Sequence, residues 1–135
     1  PRRMRDIPTR ATRAGVRVDV LAGPPNGLFD LVLADAPCSG SGSWRRSPEA
    51  KWALTALRLQ ELQSIQAVII DKASGLVRPG GWFAYATCSL LCAENRAQVD
   101  TFLARTTGWS LQVERRFTPL DGADGFYLAL LQRIA

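Results

Sequence analysis

The segment Phe29-Asp30-Leu31-Val32-Leu33-Ala34 constrains this chain more than any other. It is short and almost continuously apolar, so it reads as a strand buried on both faces rather than a half-wet antiparallel one. Burial on both faces calls for helices above and below, hence a parallel sheet with crossover connections. The flanking pattern agrees. Val16 to Leu21 alternates like a strand, and Gly23-Pro24-Pro25-Asn26-Gly27 is a turn cluster. Leu57, Leu62, Ile65, Val68, Ile69 and Leu76 recur at helical spacing and predict a helix over 54–77, stopped by Pro79-Gly80-Gly81. Trp82 to Ala86 is the next strand and runs into Thr87-Cys88-Ser89. A helix over 93–105 carries Val99, Phe102 and Leu103 on one face. Strands over 110–117 and 126–134 close the chain, joined by a turn-rich 119–125. The basic opening, 1–15, is weakly periodic and reads as the remnant of a helix.

The order strand, strand, helix, strand, helix, strand, strand predicts an α/β fold, mostly parallel, with an antiparallel terminal hairpin at one edge. Ligands bind such sheets at the carboxyl ends of the strands. Cys38 and Cys88 each follow a predicted strand directly, so both are expected to face one crevice.

Composition narrows the chemistry. With 47% hydrophobic and 21% charged residues among 135, the chain is globular rather than disordered. It contains no histidine, which removes Ser-His-Asp and Cys-His catalysis and every histidine metal site. Any nucleophile must be activated by something else. Three cysteines, an odd number, argue against a disulfide framework and for a reducing, cytoplasmic compartment. No apolar run reaches the roughly 18 residues needed to span a bilayer, so no membrane partner is expected. The opening Pro1-Arg2-Arg3-Met4-Arg5-Asp6 lacks the apolar stretch of a secretory signal, and without an initiator methionine it implies a longer parent. A net charge of +5, largely from arginine, favours a polyanionic partner.

Asp35-Ala36-Pro37-Cys38-Ser39-Gly40, followed by Ala86-Thr87-Cys88-Ser89, resembles the two cysteine motifs of the RNA cytosine-5 methyltransferases of the Sun/Fmu family. The likeness continues, in the family's order, through Trp44 to Trp52, Pro79-Gly80-Gly81, Leu90 to Asn95 and Asp124-Gly125-Phe126. It implies a Rossmann-like class I methyltransferase sheet, S-adenosylmethionine as cofactor and ribosomal or transfer RNA as partner. In such enzymes the Thr-Cys cysteine is the nucleophile and the Pro-Cys cysteine assists release. The aspartate before Ala-Pro-Cys contacts cytosine and the reactive end of the donor. Carried over, these are Cys88, Cys38 and Asp35, with Pro37 beside the base.

The chemistry explains the need for two thiols. Carbon 5 of cytosine is too weak a nucleophile to take a methyl group from a sulfonium. Addition of a thiolate at carbon 6 makes the ring an enamine, which divides one hard step in two. Loss of the carbon 5 proton and expulsion of the thiolate then call for a second acid/base group. The target base must leave its stack to be reached.

Resemblance also marks what is missing. The first strand and helix of the family, with their glycine-rich cofactor loop, have no counterpart, so residues 1–135 read as a partial catalytic domain. Of the cofactor contacts only Asp35 and its neighbours carry over. The isolated chain is therefore expected to be inactive or nearly so, and its open sheet edge to favour self-association.

Several residues keep more than one reading. Arg45, Arg46 and Lys51 either hold the RNA backbone, order the site through a buried pair, or are solvated charge. For Trp44 and Trp52, core packing is favoured over stacking on bases. Gly40-Ser41-Gly42-Ser43 lacks the Gly-Lys-Ser/Thr of a nucleotide loop, and its glycines are expected to let the loop fold against an extruded base. Cys92 reads as a packed core thiol, and no metal site is expected. The rivals are an inactive RNA-binding module of the same fold, a methyltransferase acting on DNA or protein, and a thiol redox protein. The last lacks Cys-x-x-Cys spacing.

Overall fold

The computed structural model describes residues 4–134; Arg2 and Arg3 of the basic opening lie outside the described residues. After a short helix, α1 (Ile7–Ala14), come β1 (Phe29–Asp35), α2 (Pro48–Ala53), α3 (Ala56–Ser74) and β2 (Val77–Thr87). They are followed by α4 (Arg96–Arg105), β3 (Trp109–Phe117) and β4 (Phe126–Arg133). The four strands form one sheet in the order β1-β2-β4-β3. β1 and β2 are parallel, while β4 runs antiparallel to both β2 and β3. The terminal hairpin thus inserts its second strand beside β2 and leaves β3 at the edge.

The core lies on one face of the sheet. Ala34 of β1, Tyr85 of β2 and Ala129 of β4 are in register, and all three are buried. Ile70 of α3 and Val99 and Phe102 of α4 close over them. In α3 the buried positions are Leu62, Gln66, Ile70 and Ser74, a stripe at every fourth residue. Thr55 caps that helix by accepting a hydrogen bond from the Arg58 amide at 3.1 Å. Phe102 meets Trp109 edge to face at 5.6 Å, tying α4 to β3.

Four expectations need correction. Val16–Leu21 is not a strand: it is extended and exposed, because no described strand offers it a ladder. β1 is an edge strand, not a central one. Its residues that turn away from α3, Leu31 and Leu33, are 57% and 64% exposed, so only one of the two faces is covered among the described residues. Pro79-Gly80-Gly81 lies inside β2, where the pairing with β1 shifts register between Phe29 and Leu31. Gly81 sits so close to the Asp30 carbonyl there that a side chain would crowd it. Finally, α4 starts at Arg96, because Cys92–Glu94 forms a separate 3-10 turn.

Candidate active site

Parallel pairing brings the two cysteine loops together. The β1–β2 ladder runs to Asp35 opposite Ala86 and is extended by the Ala36 amide, which donates to the Ala86 carbonyl at 2.9 Å. Cys38 and Cys88 then leave adjacent strands at their carboxyl ends. Their sulfurs are 3.4 Å apart, both half-buried and both free thiols. The two thiols meet at the strand ends, although the cleft beside them is lined by Cys38 and not by Cys88.

Desolvation pushes the Cys38 thiol from its ordinary 9.0 up to about 12, with the Cys88 sulfur adding to the rise. The backbone amides of Gly40 and Cys88 oppose it only in part. Cys38 therefore carries its proton through the physiological range.

The Cys88 loop is clamped from below. Thr87 donates its hydroxyl to Asn95 Oδ1 at 2.6 Å, and the Asn95 amide donates to the Ser89 carbonyl at 2.8 Å. Thr87, Ser89 and Asn95 are all almost fully buried. Ser89 Oγ donates to Glu94 Oε2 at 2.5 Å, and Tyr85 fixes that turn by donating to the Glu94 carbonyl at 2.7 Å. A threonine before the cysteine and a serine after it are thus structural requirements of the loop.

The Cys38 loop is held by its far end. Gly40 adopts a left-handed φ of 68°, opening the 3-10 turn Ser41–Ser43. The Gly42 amide donates to the Cys88 carbonyl at 3.0 Å, and its own carbonyl accepts from the Gly125 amide at 2.9 Å. A β-carbon at Gly42 would collide with the Gly125 carbonyl. That glycine serves backbone contact with the Asp124-Gly125 turn. Arg46 Nε donates to Asp124 at 2.7 Å and Arg45 lies 3.7 Å from the same carboxylate, which Arg46 holds below its usual pKa. Both guanidinium groups remain mostly exposed, so they order the loop from outside while facing solvent.

Beside Cys38 opens a cleft of about 210 Å³, walled by Ser39, Ala50, Ala53, Leu54 and Leu62 with Arg58 at its rim. Asp35 is exposed at the end of β1, and its carboxylate makes no hydrogen bond or ion pair with the described residues. Pro37 is exposed, and its carbonyl accepts from Gln66 Nε2 at 2.9 Å. Lys51 lies on α2 with its ammonium 5.4 Å from the Trp52 ring. Trp52 is 81% exposed, against the expected core packing, because α2 turns it away from the sheet. Trp44 is half-buried with its indole N–H unpartnered. Cys92 is exposed rather than packed, since the 3-10 turn points it outward.

Ser39, Ser41, Gln66, Glu94, Asn95 and Asp124 were not singled out by residue reasoning, although they hold the thiols in place. The available signal was Gln66 at a core-facing helix position and Glu94-Asn95 just after the cysteine loop. Among the described residues, no helix is long and apolar enough to cross a membrane, and no group of three or more Cys, Asp or Glu could hold a metal ion.

Residues 14–132 match the family described as 16S rRNA methyltransferase RsmB/F. The chain belongs to that family. Ribosomal RNA small subunit methyltransferase B of Vibrio vulnificus is 42% identical over 114 residues, covering 79% of this chain and 27% of the relative. The protein of that name from Shewanella oneidensis is 34% identical, covering 96% of this chain and 35% of the relative. The chain thus spans about a third of the length of these RsmB/F-type relatives. The crystal structure of NSun6 from Pyrococcus horikoshii with SFG superposes with a TM-score of 0.84 at 24% identity, over 99% of this chain and 39% of that one. The sheet with its helices is accordingly a Rossmann-like methyltransferase fold.

Proposed function

We propose that the full-length protein transfers a methyl group from S-adenosylmethionine to carbon 5 of a cytosine in RNA, and that Cys88 forms the covalent bond to the base. The observation that carries this reading is the pair of free thiols 3.4 Å apart at the ends of parallel strands. The names of its RsmB/F relatives point to small-subunit ribosomal RNA as substrate. Three free cysteines and an rRNA substrate fit the cytoplasm.

Cys38 keeps its proton, so it is a poor nucleophile, which leaves Cys88 to attack carbon 6. Sulfur–carbon bond formation moves the ring electrons to carbon 5, which takes the methyl group. In the release step the carbon 5 proton is lost to solvent, the ring double bond re-forms and the bond from carbon 6 to Cys88 breaks. Cys38 hands its proton across the 3.4 Å gap to the departing sulfur and regains one from solvent.

An unpaired carboxylate at a strand end beside these thiols fits a cationic donor, so Asp35 is the residue of this chain that holds the reactive end of S-adenosylmethionine. When bound, that cofactor supplies an electrophilic methyl group. The cleft beside Cys38 receives the extruded cytosine and the exposed Pro37 lies beside the base; Arg45, Arg46 and Lys51 face the RNA backbone. An RNA-binding module that had kept only the fold has no use for two thiols at this spacing.

The test is methylation of small-subunit RNA by the full-length protein, with nucleosides resolved by mass spectrometry. 5-Methylcytidine is the expected product, and the 135-residue chain alone should give little or none. A methyl group on another atom would overturn the assignment.

A further inference from the structure

Glu94 is fully buried, and among the described residues no arginine or lysine pairs with it. A buried carboxylate without a cation is costly unless several donors replace its water. Here Oε1 accepts from the Ser39 amide at 2.8 Å and from Gln66 Nε2 at 3.0 Å. Oε2 accepts from Ser39 Oγ at 2.6 Å and from Ser89 Oγ at 2.5 Å. Ser39 directly follows Cys38, and Ser89 directly follows Cys88. One carboxylate therefore grips the residue next to each thiol, while Gln66 ties it to α3 and, through Pro37, to the start of the Cys38 loop.

Each serine hydroxyl has one proton to give. Ser89 Oγ already accepts from the Leu91 amide at 3.0 Å and meets Ser41 Oγ at 3.0 Å, while Ser41 Oγ accepts from the Leu90 amide at 2.8 Å. Ser89 gives its single proton to Glu94, so the Ser41 hydroxyl is the donor in its contact with Ser89. Only an acceptor at Oε2 completes the chain.

From this arrangement we infer that Glu94 is a positioning residue, a buried clamp that sets the spacing of Cys38 and Cys88 by binding the serine beside each. The inference rests on the proposed use of both thiols in one reaction. It goes further, because it assigns the register of the pair to a residue that touches neither substrate nor sulfur. Glu94→Gln keeps the shape of the side chain but puts two hydrogens where acceptors are needed. The Ser39 and Ser89 hydroxyls must then turn, and the two loops lose their common anchor.

The experiment measures thiol proximity without RNA or methyl donor. Diamide oxidises two neighbouring thiols to a disulfide, taking up two electrons and two protons to become its hydrazine. The Cys38–Cys88 cross-link is followed by peptide mass spectrometry on the folded full-length protein. Wild type should cross-link rapidly, and Glu94→Gln roughly tenfold more slowly, the rate equivalent of one lost charge-assisted hydrogen bond. Ser39→Ala, which removes only one strut, should slow it several-fold and serves if Glu94→Gln does not fold. Single-turnover adduct formation with RNA should fall in the same order while the KM for RNA stays unchanged. A lowered melting temperature with wild-type cross-linking and adduct rates would reduce Glu94 to fold stability and overturn the inference. Failure of wild type to form any RNA adduct, with cross-linking still sensitive to Glu94, would instead sink the functional reading alone.

Discussion

The two cysteine loops end parallel strands side by side, yet they are built differently. Around Cys88, Thr87, Ser89 and Asn95 are buried and fully hydrogen-bonded. Around Cys38, Pro37 is exposed and Ser39 and Gly40 are half-buried, and the loop borders an open cleft. The contrast matches the division of labour in the proposed mechanism. A group that must meet a carbon atom at bonding distance gains from a fixed position, because misplacement is costly in rate. A group that moves a proton tolerates more freedom, and a loop that borders the incoming base has to leave room for it.

Substitutions can break this contrast from either side. The largest effect is expected from Cys88→Ala, which should lower methyl transfer by on the order of a thousandfold or more in steady-state assays. Asn95→Ala strips partners from the Thr87 hydroxyl and the Ser89 carbonyl, and should cost about 2–3 kcal/mol in urea unfolding. Gly42→Ala attacks the other loop by forcing it off Gly125. It should destabilise by about 1–3 kcal/mol, with activity falling further than melting alone explains. Arg46→Ala should change stability by less than about 1 kcal/mol, since the pair with Asp124 is exposed on the arginine side. Its RNA affinity should become less salt-dependent.

The contrast is sharpened by pH. The Cys38 thiol is pushed up to about 12 in the folded protein from an ordinary 9.0. Its contribution to stability is therefore complete below 9.0 and drains away as pH rises through 12. Melting temperatures taken across that window should fall more steeply for wild type than for Cys38→Ala. A parallel decline in both would show that the thiol is not held in its protonated form.

Much of the fold was legible because strand and helix periods are local. β3, β4 and the body of α3 follow the hydrophobic pattern closely, and the two cysteines meet as their positions after strands imply. Failures occurred where a strand depends on a neighbour. Val16–Leu21 alternates correctly but has no described partner, and β1 reads as central while standing at an edge. Half of the site was hidden for a different reason. Glu94, Asn95 and Gln66 are polar residues whose hydrogen-bond partners lie between 5 and 55 positions away, and no periodicity announces such a network. Trp52 shows the reverse error, since an aromatic ring on a short helix looks like core until the helix is seen to turn it outward.

Opposite roles for two neighbouring sulfurs can be tested with RNA in which the target cytosine is replaced by 5-azacytosine, which blocks release once the base is bound. Full-length protein carrying Cys38→Ala should accumulate the covalent RNA adduct, seen as a retarded band that survives denaturation, whereas Cys88→Ala should form none. An adduct that persists without Cys88 and disappears without Cys38 would contradict the account.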